Sequence, residues 1–427
     1  MLRRPIDVDE RLPLLQAAPL SLQHLFAMFG ATVLVPFLLH VNPATSLLLN
    51  GVGTLLYLWI CKGRIPAYLG SSFAFIAPVL AVLARPELGG YAAAQGGFIA
   101  FGLFFVLISQ VVRVAGTRWI DIIFPTAAMG AIVAVIGLEL APVAADMAGL
   151  TGKASAPFTA GSAMAVSLFT LGLTILCSVL LRGFWGVIPI LLGVVGGTAL
   201  SLLLGKVDLA AIAAAPWFQT PALYRPTFNL QAILMILPAA LVVLAEHIGH
   251  LVVTGNIMDR DLVKDPGLHR SLLGDGLSNI LSGFAGATPN TTYGENIGVM
   301  AITKVYSVQV IGGAALIAIL VSFVGKAAAA IRAIPVPVMG GVCLLLFGVI
   351  AAAGIRMLVE KRVDYARPRN LVLTSVVLIS GISGAAIRLG AVELRGMALG
   401  TVVAIVLSLL FWAFDRLGFS NDGGSQH

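Results

Sequence analysis

A chain of 427 residues that is 59% hydrophobic and 11% charged is not a soluble domain, since such domains carry about 25% charged residues. Its net charge of +7 does not indicate a nucleic-acid partner, because the basic residues sit in loops, where membrane topology explains them. The three cysteines, Cys61, Cys177 and Cys343, lie in or beside apolar runs. Their spacing suggests neither a disulfide framework nor a metal site.

The apolar blocks have helix length rather than barrel-strand length, which reads as an integral membrane protein of helices. Hydropathy predicts spans at about 20–39, 45–61, 70–83, 94–114, 124–141, 163–181, 185–204, 231–253, 271–286, 292–303, 308–330, 335–353, 370–386 and 397–414. The polar start M-L-R-R-P-I-D-V-D-E-R shows no removable signal peptide. An even number of spans puts both termini on one side. With the N-terminus in the cytoplasm, 18 of the 26 lysines and arginines fall inside, including Arg260, Lys304 and Arg369. The outside set includes Arg85, Arg388 and Arg395. This split favours that orientation.

Two short stretches echo each other. F-P-T-A-A-M-G-A-I opens the fifth span and I-P-V-P-V-M-G-G-V opens the twelfth, matching Pro125 with Pro335, Met129 with Met339 and Gly130 with Gly340. Spans n and n+7 enter the membrane in opposite senses, as in the inverted repeats of secondary transporters. A shared proline start with glycine packing is the alternative reading of so short a match. The third and tenth spans, both short for a bilayer, then become partners.

Both of these spans are interrupted. The third begins Y-L-G-S-S-F-A-F-I-A-P-V, where Gly70, Ser71 and Ser72 favour non-helical backbone and Pro78 limits the helix that follows. Residues 287–304 read A-T-P-N-T-T-Y-G-E-N-I-G-V-M-A-I-T-K. Pro289 lacks a donor, Asn290, Thr291 and Thr292 are poor helix formers, and a helix is predicted from about Tyr293. Such backbone cannot face lipid, so it must be buried in protein or line a wet cavity. A half-helix starting at membrane depth is how transporters build a midplane site. Phe73 and Gly294 are therefore expected to face each other across the centre.

Ionisable groups inside spans are functional candidates. The eighth span carries Glu246 and His250 at i and i+4 on one face. They read either as a buried pair joining helices or as a substrate carboxylate with a proton partner. Glu295 sits in the first turn of the tenth-span helix, where an acid also suits the helix dipole. Asp275 reads as a bridge between helices through Ser278 or Asn279. Gln23 and His24 read as contacts between helices near the site. Glu139, Glu87, Asp121, Glu360 and Asp364 read as solvated. Two carboxylates accept from N–H groups, half-helix starts donate to carbonyls, and Phe73 or Tyr293 packs on a flat ring. A planar heterocycle with alternating N–H and C=O matches all three, as do other amides.

The run Glu295-Asn296-x-Gly298 continuing to Thr303 and Lys304, with Gln23-His24 in the first span, resembles the signature of the nucleobase–ascorbate (nucleobase/cation symporter-2) transporters. The likeness runs from about Pro13 to Gly418, and S-L-Q-H-L-F-A-M-F-G-A-T-V-L-V-P is most similar to the family's bacterial uracil carriers. The resemblance implies an all-α polytopic membrane protein with 14 transmembrane segments in two inverted seven-segment repeats. Short antiparallel strands would lie in segments 3 and 10. It implies a core domain of residues 13–122 and 229–333 and a gate domain of residues 123–228 and 334–418. Glu246 and Glu295 would bind uracil N–H groups, and the backbone of Phe73 and Gly294 would bind its carbonyls. Ala31 and Tyr293 would line the pocket, and Glu246 and His250 would couple to protons. No cofactor, metal or nucleic acid is implied. The expected partners are uracil, protons, membrane lipid and a second copy through the gate domains, in the bacterial inner membrane. Glu at position 295 favours uracil over xanthine or urate, where the family carries Gln. Cys343 and Phe347 stand where family members place serine and tyrosine facing the site. A purine carrier is the nearest rival. A channel would need no midplane carboxylate site, and a membrane enzyme would need a nucleophile or cofactor loop that is not visible.

Overall fold

The computed structural model describes residues 4–390 and 392–419. Among them, eight helices are long and apolar enough to cross a membrane, and four shorter apolar helices accompany them: Phe73–Leu83, Pro189–Leu203, Val308–Ser322 and Pro368–Ile382. The protein is a helical, multi-pass membrane protein. Local chemistry sets the helix starts. Pro43 opens the helix Pro43–Ile60, and the Asn42 side chain accepts from the Ala44 N–H, a cap that leaves fewer orphan donors. Pro125 and Pro335 both precede helices in extended backbone.

The two interrupted stretches cross as strands. β1 (Leu69–Ser71) pairs antiparallel with β2 (Asn290–Thr292), in the register Leu69 with Thr292, Gly70 with Thr291 and Ser71 with Asn290. The pairing continues beyond the strands, with Ser72 N–H donating to the Pro289 carbonyl at 2.8 Å and Tyr293 N–H to the Tyr68 carbonyl at 3.2 Å. All six strand residues are buried. Each strand thus satisfies part of the other's backbone in the protein interior, where water is scarce. A short 3₁₀ turn, Phe73–Phe75, follows β1 and leads into Ile76–Leu83; the helix Gly294–Thr303 follows β2.

The helices pack in two groups. In the first, Leu268–Ala285 lies against Gly90–Ala115 and Pro43–Ile60, and Val308–Ser322 lies against Pro43–Ile60 and Leu14–Ala27. Gly102 and Gly276 let two of these backbones approach, because a Cβ on either would meet the other's carbonyl. In the second, Val336–Glu360 lies against Thr126–Glu139 and Ala160–Leu180, and Pro368–Ile382 lies against Gly396–Leu417. Gly130 and Gly354 form the close approach there. The helix Ala239–Met258 touches both groups: it meets Gly294–Thr303 and β2 on one side and Thr126–Glu139 and Gly396–Leu417 on the other. It therefore lies at the seam.

A second strand pair, this one a hairpin, was not expected from hydropathy. β3 (Ala386–Leu389) pairs antiparallel with β4 (Val392–Arg395) just before Gly396–Leu417. At the other end of the chain, Ile6 N–H donates to the Lys304 carbonyl at 2.9 Å and Tyr306 N–H returns to the Ile6 carbonyl at 2.9 Å. Arg260 holds Asp7 through two contacts of 2.7 and 2.9 Å.

Candidate substrate site

The strand crossing sets Phe73 and Gly294 at the starts of two short helices, where the first backbone N–H groups have no partner inside the helix. Within the otherwise buried run 287–300, Gly294 and Gly298 are exposed and Glu295 is half-buried, so this helix start opens onto a free face. Beside it lies His250: a Cβ on Gly294 would sit 3.3 Å from His250 Nε2. The opposite ring atom, Nδ1, is 3.1 Å from Thr292 Oγ1, which fixes the ring against β2.

Glu246 is one turn away on the same helix and half-buried, and that helix touches Gly294–Thr303, which carries Glu295. No direct Glu246–His250 hydrogen bond occurs among the described residues, so His250 is oriented by the strand rather than by that carboxylate. The Phe73 ring meets Phe347 edge-to-face, with centroids 6.0 Å apart and planes at 85°. Phe347 and Cys343 are both buried on Val336–Glu360, so a phenyl ring against Phe73 and a thiol stand where two hydroxyls were expected. The elements that carry these residues meet: Ala239–Met258 touches the turn Phe73–Phe75, β2 and Gly294–Thr303. Among the described residues, no group of acids, histidines and cysteines is arranged to hold a metal.

The other expected pocket residues are more enclosed. Ala31 is 2% exposed on Phe29–Leu38, a helix that touches β1. Tyr293 is 4% exposed. Its ring lies over Gly70, where there is no room for a Cβ, and its hydroxyl donates to the Ser71 carbonyl at 2.8 Å. The tyrosine acts as a clasp between the strands.

Behind the site runs a buried polar network. His247 Nδ1 lies 2.8 Å from Asp275 Oδ2 with both side chains fully buried, and His247 Nε2 is 2.7 Å from Ser271 Oγ. Ser271 meets the Tyr57 hydroxyl at 2.6 Å. Asp275 also accepts from the Asn279 amide at 2.8 Å and from the Thr291 hydroxyl at 3.2 Å. His24 Nδ1 is 2.9 Å from Asn296 Nδ2, tying the first span to the signature helix. Glu139, expected to be solvated, is instead half-buried and accepts the Met397 N–H at 2.8 Å. Its apolar neighbours gave no sign of this, because the partner is a backbone group 258 residues away. Glu87, Asp121, Glu360 and Asp364 are exposed. The His247–Asp275 pair is hinted at only by two ionisable residues inside spans; their contact depends on how the helices cross.

The sequence matches the permease family over residues 15–389. It is 64% identical over 411 residues to the uracil permease of Escherichia coli strain K12, covering 96% of this chain and 95% of that one. It is 60% identical over 424 residues to the uracil permease of Paenibacillus larvae subsp. larvae, covering 98% and 99%. In structure it is similar to the transmembrane domain of a cyanobacterium bicarbonate transporter, BicA, with a TM-score of 0.61, 16% identity, and coverage of 97% of this chain and 99% of that one.

Proposed function

The chain belongs to the permease family, and from that premise we propose that it imports uracil by proton symport with alternating access. It is a transporter rather than an enzyme. The observation that carries this reading is the antiparallel crossing of β1 and β2, followed by helix starts at Phe73 and Gly294, with the helix that bears Glu246 touching the one that bears Glu295. Uracil presents N–H groups to carboxylates and carbonyls to free backbone donors. Names of highly identical relatives support the same substrate.

In this reading the molecule has fourteen segments in two inverted seven-segment repeats, with both termini cytoplasmic in the bacterial inner membrane. The core comprises residues 13–122 and 229–333 and the gate residues 123–228 and 334–418; the two packing groups support the division. Glu246 and Glu295 hold uracil N–H groups, Phe73 and Gly294 its oxygens, and Ala31 and Tyr293 the pocket wall. Glu246 and His250 carry the coupled proton. One proton crossing 100 mV supplies about 2.3 kcal/mol, before any pH gradient. A second copy joins through the gate domains, with membrane lipid around the pair.

Radiolabelled uptake into proteoliposomes tests the substrate. Saturable uracil uptake, displaced by unlabelled uracil and not by xanthine, is the expected result. Displacement by xanthine at matched concentration would instead assign a purine carrier.

A further inference from the structure

Arg85 follows Ile76–Leu83, the helix that leaves the strand crossing, and its side chain reaches the hairpin before the last long helix. Its Nη2 donates to Glu393 Oε2 at 2.8 Å, and its Nη1 lies 3.6 Å from Met235 Sδ. Arg388, which faces Glu393 in register across the hairpin, is 3.7 Å from the same carboxylate. Both side chains of the Arg85–Glu393 pair are partly exposed, at 33% and 15%. The hairpin is anchored in turn to the second helix group. Glu139, at the end of Thr126–Glu139, accepts the Met397 N–H at 2.8 Å. Gly396 adopts a φ of +54° directly against the Glu139 carboxylate, a place with no room for a side chain. The hairpin also packs on Leu230–Ile236, a helix that lies against Gly90–Ala115 of the first group. One ion pair thus spans the seam between the two groups, on the face opposite the chain termini in the charge-based orientation.

We propose that Arg85 and Glu393 form a latch that closes this face and must open in every transport cycle. The latch rests on the alternating-access reading above. Its strength suits a contact that must break and re-form. One partly exposed ion pair biases an equilibrium by about two- to fivefold, enough to favour a closed state without trapping it.

The test uses the full-length protein with Arg85→Cys and Glu393→Cys, with the half-buried Cys177 replaced by serine. It is joined by a short, cleavable thiol cross-linker in proteoliposomes. Cross-linking is expected to stop radiolabelled uracil uptake, and cleavage to restore it. Cross-linked protein that transports at the uncross-linked rate overturns the latch. Parent protein, with Arg85 and Glu393 intact, that neither binds nor transports uracil overturns the transport reading and the latch with it. A milder variant, Glu393→Gln, gives a second readout. Labelling of Ala81→Cys, in the small cavity beneath the pair, is expected to speed up about two- to fivefold. An unchanged labelling rate counts against the proposal.

Discussion

Asn279 grips Asn290 by both its backbone groups: Asn279 Nδ2 donates to the Asn290 carbonyl at 2.8 Å, and Asn279 Oδ1 accepts the Asn290 N–H at 2.8 Å. Both residues are fully buried. One side-chain amide therefore completes the edge of β2 that β1 leaves open. Asn279→Ala strands two buried backbone groups, at a cost of about 1–3 kcal/mol each. Thermal unfolding in detergent should shift down, and uracil affinity should fall with it. A variant as stable as the parent would show that the amide is dispensable.

Gly70 and Tyr293 make the second prediction. The Tyr293 ring occupies the space a Cβ at position 70 would need, and the strand pairing fixes the backbone there. Gly70→Ala should destabilise by about 1–3 kcal/mol through overpacking. Tyr293→Phe keeps the ring and loses only the bond to Ser71, so its cost should be nearer 1 kcal/mol. Equal losses from the two variants would argue against the clasp.

Glu295 and Glu246 should separate by role. Glu295→Gln exchanges an acceptor-only group for one that also donates. It should weaken uracil binding and raise competition by xanthine, measured by displacement of labelled uracil. Unchanged competition by both rings would remove Glu295 from substrate recognition.

The latch should ignore mild acid. The groups around Glu393 are Arg85, Arg388 and Arg395, with Glu139 behind the hairpin. The Arg85 hydrogen bond comes first among the causes that hold the Glu393 carboxyl below its ordinary range. A depressed pKa stabilises the latched state above the ordinary carboxylate pKa, and that stabilisation is lost only as pH falls through the lower, latched value. Labelling of Ala81→Cys, taken at each pH relative to a fully exposed cysteine so that the change in thiolate fraction cancels, should therefore be the same at about pH 8 and about pH 5.5, both above the ordinary Glu pKa of about 4.3. A large increase at the lower pH would place the titrating group in the latch itself.

Much of this was legible in the sequence, for physical reasons that can be named. Gly70, Ser71 and Pro289 mark broken spans because glycine and proline act on the backbone locally. Glu246 and His250 stand out because charge is rare in apolar runs and i, i+4 spacing fixes a shared face. What stayed hidden depends on how distant elements cross. His250 turns to Thr292, 42 residues away, and Tyr293 turns to Ser71, 222 residues away. Glu139 resembles any acid at a span end until Met397 is brought to it. The hairpin Ala386–Arg395 is too short and too mixed in character to register as hydropathy.

The most direct test of the whole account is uracil accumulation in proteoliposomes under an imposed pH gradient, with the parent chain and Glu246→Gln side by side. The account predicts that an acidic exterior drives the parent to concentrate uracil above the outside level, and that Glu246→Gln does not. Accumulation indifferent to the gradient, or a Glu246→Gln protein that still concentrates uracil, would contradict it.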